Sequence, residues 1–362
     1  MKTVGLLSPY KLGTIELKNR IVMAPMTRSR ATNNLPNDLM AEFYGQRAEA
    51  GLIITEGTSP SPNGLGYSRI PGIFNETQVD GWKKTTHAVH AAGGKIFLQL
   101  MHTGRISHRD NMPDTAMIIA PSAVKPAGTM WTDTAGLQEY PVPVEMNMDE
   151  IGHTRQEFIT AAINAIHAGF DGVEFHGANG YLLEQFLSPV TNLRTDLYGG
   201  SVKNRCRFLL EILQCTADSI GRHSIGIRLS PYGTAGDMMP YPDIARTYSY
   251  LSDEINRIGI QYIHIVDHHS MGAPKVPSKV KKDIRKRFRG TLILGGGYTK
   301  VRAQEDVKSG IADLISFGRP FINNPDLVQR ITKGESLSTD LRTETFYTPG
   351  AKGYTDYPVY GS

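Results

Sequence analysis

Residues 172–186 read GVEFHGANGYLLEQF, and the fold turns on them. Gly172-Val173-Glu174-Phe175 has the signature of a buried strand, which runs directly into His176. Asn179 and Tyr181 follow, and the apolar run resumes at Leu182. Unpaired polar groups at a strand's buried end cost a few kcal/mol each. An imidazole, an amide and a phenol there imply a polar ligand beyond the strand.

Seven more short apolar runs resemble this one: RIVMAP (20–25), GLIITEG (51–57), KIFLQL (95–100), IGIRLS (225–230), YIHIVD (262–267), TLILGG (291–296) and DLISFG (313–318). Each is near-continuously apolar, as parallel strands covered on both faces are. Helical patterns lie between them. Asn75 and Gln78 suggest a capping box before Val79, Trp82, Thr86 and Val89, with Gly93 as the stop. Asp149 is read as preceding a helix with Ile159, Ile163, Ile166 and Phe170 on one face. Ser201 and Gly221 bracket a helix carrying Leu209, Leu213, Ala217 and Ile220. Eight strands alternating with helices predict an α/β chain folded as one (β/α)8 TIM barrel over residues 1–362. Residues 6–19 read as a hairpin plugging the barrel's bottom, and 102–148 as a long insertion after the third strand, suited to a lid.

Composition narrows the function. The 362 residues are 40% apolar and 20% charged, with net charge +4, which predicts a globular protein and gives no argument for nucleic acid. No apolar stretch approaches a membrane span, and none precedes Ser8-Pro9 to serve as an export signal, so a cytoplasmic protein is expected. Cys206 and Cys215 have neither disulfide-framework nor zinc spacing and read as free. Oligomeric state is not legible.

Barrel chemistry sits at the C-terminal ends of the strands. In order, those ends carry Pro25-Met26-Thr27, Glu56-Gly57, Gln99, His176, Arg228, His264 with Asp267, Gly295-Gly296-Gly297, and Gly318-Arg319. Glycines after the last two strands, with Arg319, match a phosphate site of barrels, where bare N–H groups approach the anion. Taken alone, the glycines make a tight turn, His176 a structural histidine, and Asn179-Gly180 a turn signal. No GxGxxG or GxxxxGK[ST] motif is present, so no dedicated nucleotide domain is expected.

At this point the chain resembles the old yellow enzyme family. The likeness rests on NRIVMAPMTRSRA (19–31), EFYGQRAEAGLIITEG (42–57), HGANGYLLEQFLSPVTNLRTDLYGGSVKNR (176–205), IRLSP (227–231), SFGRPFINNPDL (316–327) and FYTPGAKGYTDYP (346–358). It implies a non-covalent FMN and reduction by NAD(P)H, with NADPH expected. The implied substrates are electron-poor alkenes: enones, maleimides and nitroalkenes, extending to nitro compounds and nitrate esters. By the same resemblance, Pro25, Met26, Thr27, Gly57, Gln99 and Arg228 surround the flavin ring. Gly296, Gly297, Gly318 and Arg319 hold its phosphate. His176 and Asn179 bind the substrate oxygen, and Tyr181 donates the proton. Tyr67 and Tyr347 line the substrate pocket, and phenols are expected to inhibit. Met101 departs from the pattern, since many relatives have tryptophan there, and a wider pocket with altered facial selectivity is expected.

Two other signals compete. His264, Asp267, His268 and His269 crowd together like metal ligands, which would make the barrel a metal-dependent hydrolase; the family resemblance implies no metal. A flavin-bearing sensing protein with little turnover is the other alternative. The basic run KVKKDIRKRFR (279–289) carries Val280, Ile284 and Phe288 at helical spacing and reads as a solvated helix with one buried face.

Overall fold

In the computed structural model, which describes residues 4–361, a small hairpin precedes the barrel. Its strands β1 (Tyr10–Leu12) and β2 (Ile15–Leu17) pair antiparallel. Leu12 and Leu17 are buried against Val22, Leu52, Ile54, Phe97, Tyr262, Ile293 and Leu314, side chains from the inner wall of the barrel. The hairpin therefore closes the bottom, as expected for residues 6–19. Met1–Thr3, the start of the segment read as lacking an export signal, lie outside the described residues.

The chain then runs β3 (Ile21–Met23), α1 (Asp38–Gly45), β4 (Leu52–Thr58), α2 (Glu76–Ala91) and β5 (Ile96–Leu100). The insertion follows, with short strands β6 (Ile119–Ala120), β7 (Thr129–Thr132), β8 (Gly136–Glu139) and β9 (Val144–Glu145). Next come α3 (Met148–His167), β10 (Gly172–Gly177), α4 (Leu182–Leu187), α5 (Val202–Ile220), β11 (Ile225–Leu229), α6 (Ile244–Ile258), β12 (Tyr262–Val266) and α7 (Ser278–Arg287). The chain continues through β13 (Thr291–Gly295), α8 (Lys300–Lys308), β14 (Leu314–Phe317), α9 (Arg319–Asn323) and α10 (Leu327–Lys333). Strands β3, β4, β5 and β10 to β14 form one closed parallel barrel, which is the eight-strand order the apolar runs predict. Every residue of these strands is buried, which is why none alternates in hydropathy.

The helices differ from the sequence reading in detail. Asn75 caps α2 by accepting from Gln78 N, but the Gln78 side chain accepts from Phe74 N, so the reciprocal box does not form. The cap of α3 is Asn147, not the Asp149 region, and Glu150 completes a capping box with it. The face of α3 that packs inward is Ile151, Phe158, Ile159, Ala161, Ala162 and Ala165, and Phe170 is buried just beyond the helix, so Ile159 and Phe170 lie as expected while Ile163 and Ile166 are only half-buried. Small residues take the inner face because α3 packs closely on α5, β10 and β5. Ser201 and Gly221 bound α5 as expected, and Val280, Ile284 and Phe288 are buried along α7. Cys206 is buried and Cys215 half-buried; both are free. No helix among the described residues is long and apolar enough to cross a membrane.

Candidate active site

A cavity of about 1270 Å3 opens over the C-terminal ends of the barrel strands. Ordinary ligand pockets are roughly 300–1,000 Å3, so this one has room for a large cofactor and a second molecule. Most residues singled out at the strand ends line it: Pro25, Met26 and Thr27 after β3, Gly57, Gln99, His176, Arg228, Asp267, Gly296, Gly297, Gly318 and Arg319, with Asn179 and Tyr181 beyond β10, whereas Glu56, His264 and Gly295 are not in the lining. Tyr67, Met101 and Tyr347 line it as well.

The floor is held by a network beneath it. Gln99 Nε2 donates to Glu174 Oε1 at 2.8 Å, which leaves Gln99 Oε1 as the acceptor for the cavity. Glu174 Oε2 is 2.9 Å from His264 Nδ1, and His264 Nε2 is 2.8 Å from Ser316 Oγ. With the carboxylate accepting at Nδ1–H, His264 Nε2 is the acceptor for the Ser316 hydroxyl. Arg228 is buried beside Glu174, whose charge compensates its own; desolvation holds its pKa below the ordinary guanidinium value. Arg228 Nε has no hydrogen-bond partner among the described residues. A buried, unpaired cationic donor in a cavity wall fits a ligand that carries carbonyl oxygen or negative charge.

One end of the cavity is stripped of side chains. Gly296 and Gly297 have φ of +117° and +60°, and a Cβ on Gly296 would stand 2.0 Å from Asp267 O. Only glycine allows that close approach of backbones. Arg319 lies at this end with no hydrogen bond or ion pair among the described residues. Bare backbone beside a free guanidinium is chemistry for a phosphate.

The other half of the cavity carries the polar residues after β10. Asn179 and Gly180 both have positive φ, +62° and +78°, a conformation asparagine and glycine tolerate best. Asn179 N donates to Ser230 Oγ and Gly180 N to Glu184 Oε2, while Ser230 Oγ and Tyr248 Oη both donate to Glu184 Oε1. Asn179 Nδ2 lies 3.5 Å from His176 Nε2, so the two groups face one spot. Burial, then Arg228, holds His176 well below the ordinary imidazole pKa, so the ring stays neutral. Tyr181 packs edge-on to His176 with ring centroids 4.9 Å apart, and its hydroxyl donates to Tyr67 Oη at 3.0 Å. Burial pushes the Tyr181 phenol up to about 12.

Met101 is buried with Leu65 and Ile70, against Tyr67, Phe74, Met112 and Tyr181. A Cβ on Gly57 would stand 2.4 Å from its sulfur. Tryptophan at position 101 would thus press on Gly57 on one side and the tyrosine pair on the other. Met101→Trp is expected to cost about 1–3 kcal/mol of stability by overpacking and to change the enantiomer ratio on a prochiral enone. Product chirality and a urea titration check this; an unchanged ratio and substrate range would contradict it.

Sequence reasoning missed what builds the walls. Arg30 donates to the carbonyls of Arg28, Thr345, Phe346, Gly350 and Lys352, and Arg28 to those of Phe346 and Gly353. These two buried arginines strap residues 345–353 beside the cavity, where Phe346 and Tyr347 form a wall. Removing Arg30 leaves several carbonyls unpaired at about 1–3 kcal/mol for each that stays dry. Arg30→Ala is expected to destabilise the chain by about 3 kcal/mol in urea unfolding and to expose 345–353 to protease; a loss below about 1 kcal/mol would contradict the strap. The hairpin of β7 and β8 overhangs the mouth, with Trp131 and Asp133 in the lining, and Arg69 ties it down by pairing with Asp133 and donating to Tyr347 O. The insertion thus covers the site, as its length suggested.

The histidine cluster after β12 disperses. His264 serves Glu174 and Ser316; Asp267 pairs with Lys281 at 2.7 Å; His268 Nε2 contacts Asn179 Oδ1 at 2.6 Å. No group of three His, Cys, Asp or Glu able to hold a metal occurs among the described residues.

Comparison with known proteins decides the family. The model of the NADH:flavin oxidoreductase / NADH oxidase family matches residues 5–338. The chain belongs to this family. It is 41% identical to 12-oxophytodienoate reductase 7 of Oryza sativa subsp. japonica, covering 99% of this chain and 96% of that protein. It is 38% identical to 12-oxophytodienoate reductase 2 of Arabidopsis thaliana, covering 99% and 96%. Among solved structures, morphinone reductase superposes with a TM-score of 0.94 at 42% identity over 99% of this chain and 97% of that one. The old yellow enzyme homologue from Zymomonas mobilis does so with 0.94 at 40% over 98% and 99%. As a member of this family of flavin oxidoreductases, the chain has a cavity suited to FMN: a glycine-lined, cationic end for the phosphate, and at the floor Gln99 and the unpaired Arg228 donor for the polar edge of the ring.

Proposed function

We propose that this chain is an FMN-dependent ene-reductase that uses NAD(P)H to reduce the C=C bond of α,β-unsaturated carbonyls, maleimides and nitroalkenes. The observation that carries the reading is the His176–Asn179 pair, two side chains aimed at one spot in a cavity with room above the cofactor. Pro25, Met26, Thr27, Gly57, Gln99 and Arg228 would hold the flavin ring, and Gly296, Gly297, Gly318 and Arg319 its phosphate. Bound FMN supplies the hydride, which it takes from NAD(P)H.

The chain's own part is electrostatic and protic. As the β-carbon gains a hydride, negative charge grows on the carbonyl or nitro oxygen. Donors fixed on that oxygen beforehand lower the barrier without reorganising. Asn179 offers Nδ2–H and neutral His176 offers Nε2–H, which leaves the buried, unpaired Nδ1 as the ring's lone pair. Tyr181 gives its proton to the α-carbon, and Tyr67, hydrogen-bonded to it, holds the phenol in place. Tyr67, Met101 and Tyr347 shape the space for the rest of the substrate. NAD(P)H and the alkene use the same space in turn. Phenols are expected to inhibit, because a phenolate oxygen resembles the developing anion.

The pH dependence follows from the two shifts. His176 is lowered, so it stays neutral as pH falls; Tyr181 is raised to about 12, so it keeps its proton as pH rises. The rate of flavin reoxidation by an enone is therefore expected to stay level between about pH 6 and pH 10. A titration of either group inside that window, seen by rapid mixing, would contradict the assignment.

The test of function is direct. The purified protein should release FMN on denaturation and oxidise NADPH or NADH only when 2-cyclohexenone or N-ethylmaleimide is supplied. FMN without turnover would favour a sensing protein, and absence of any flavin would remove the reading.

A further inference from the structure

The side chain of His268 belongs to neither the cofactor end nor the substrate wall in the reading above, yet it makes a 2.6 Å contact with Asn179 Oδ1. We propose that His268 is a positioning residue, which keeps the Asn179 amide turned with its N–H groups toward the substrate oxygen. The proposal rests on the reading of His176 and Asn179 as the oxygen anchor.

An asparagine amide presents an acceptor on one side and two donors on the other, and a half-turn about χ2 exchanges them. The anchor works in only one of those orientations. With Nδ2 facing inward, it lies 3.5 Å from His176 Nε2, donor against donor, and both N–H groups are free for a ligand. Turned over, Oδ1 would take that place and accept the His176 Nε2–H. The pair would then satisfy itself, and an approaching carbonyl would meet an oxygen lone pair. The backbone around Asn179 cannot prevent this. Ser230 and Glu184 fix the main chain of residues 179 and 180, not the amide.

His268 supplies the missing constraint from the turn after β12, two strands around the barrel mouth from β10. Its Nε2–H donates to Oδ1, a bond the reversed amide would lose. Its own placement is rigid. Asp267 precedes it at the end of β12, accepts from His269 N, and is paired with the buried Lys281 of α7 at 2.7 Å. The turn that follows, His268–Met271, is thereby pinned to the barrel. Without His268 the competent orientation is only part of the population, and apparent affinity falls in proportion.

Equilibrium binding of p-hydroxybenzaldehyde to the FMN-loaded enzyme, read from the flavin absorbance, tests this apart from turnover. His268→Phe is expected to weaken binding about tenfold, the scale of one lost orienting hydrogen bond. His268→Gln, which keeps an N–H at similar reach, is expected to restore affinity to within about twofold. In an Asn179→Ala background His268→Phe should change affinity less than about twofold, since there is no amide left to orient. If His268→Phe does not load with FMN, His268→Ala gives the same comparison. Unchanged binding in the position 268 variants, or an equal loss with and without Asn179, would overturn the positioning role while leaving the anchor intact. Unchanged binding in Asn179→Ala alone would overturn the anchor, and the proposal with it.

Discussion

Replacing His176 and Asn179 together by alanine lowers the rate of enone reduction by at least about 10³-fold, while the variant still purifies with FMN. One preorganised donor is worth about 10²–10³ in rate when it meets charge that develops in the transition state. The two act on one oxygen, so their losses need not multiply, and the lower bound is set by the larger of them with part of the other. FMN is expected to be retained because the residues proposed for its phosphate, Gly296, Gly297 and Arg319, follow other strands than the pair does. Neither substitution removes a side chain that holds the barrel: Asn179 keeps its backbone bond to Ser230, and His176 has an unpaired Nδ1 rather than a structural partner. A double variant that reduced enones as fast as wild type would leave the pair with no part in the chemistry.

Tyr181→Phe is the second large effect. The hydroxyl is lost and the ring remains, still edge-on to His176 at the spacing seen here, 4.9 Å between centroids. A positioned general acid contributes about 10²–10⁴-fold, so reoxidation of the reduced flavin by 2-cyclohexenone should slow by that much. Phenol binding should change by less than about twofold, because the anchor lies on the other two side chains. That split separates a proton donor from a packing residue. Packing loss would loosen the Tyr67–Tyr181–Met101 cluster and weaken ligand binding along with rate. A rate within about fivefold of wild type would move the proton to another source.

Much of the molecule was legible because a parallel barrel writes itself plainly. Strands covered on both faces become near-continuous apolar runs, and the polar residue at or just before the end of a run is the residue at the mouth. His176, Arg228 and Gln99 stand out for that reason alone. Helix faces are less plain. On α3 the expected face is half right: Ile159, and Phe170 just beyond the helix, are buried, but Ile163 and Ile166 are only half-buried, and the neighbouring Phe158, Ala161, Ala162 and Ala165 complete the side that packs inward. Periodicity marks an apolar side of a helix; it does not say which edge of that side a close neighbour will select. The cap was missed by two residues, because Asn147 and Asp149 both suit the role and only the contact with Glu150 decides.

What sequence could not supply were pairings across long separations. His268 and Asn179 stand 89 residues apart, His264 and Glu174 90, and Arg30 and Gly350 320. The run HIVDHHS suggested convergence on a metal because its members are adjacent in the chain. Along a strand and its following turn, adjacent side chains diverge, and His264, Asp267 and His268 each found a different partner. The two arginines of TRSRA carried a faint signal, since two charges directly after a buried strand need buried acceptors. Nothing local identified those acceptors as the carbonyls of the C-terminal segment.

His176 and Asn179 would hold the oxygen of an alkene at this barrel mouth, where bound FMN would supply the hydride. Anaerobic rapid mixing tests this most directly. The FMN-loaded protein is first bleached with one equivalent of NADPH, then mixed with 2-cyclohexenone. The account predicts full return of the oxidised flavin spectrum with one equivalent of cyclohexanone formed, at a rate that collapses in the double variant. A flavin that stays bleached until oxygen is admitted would contradict it.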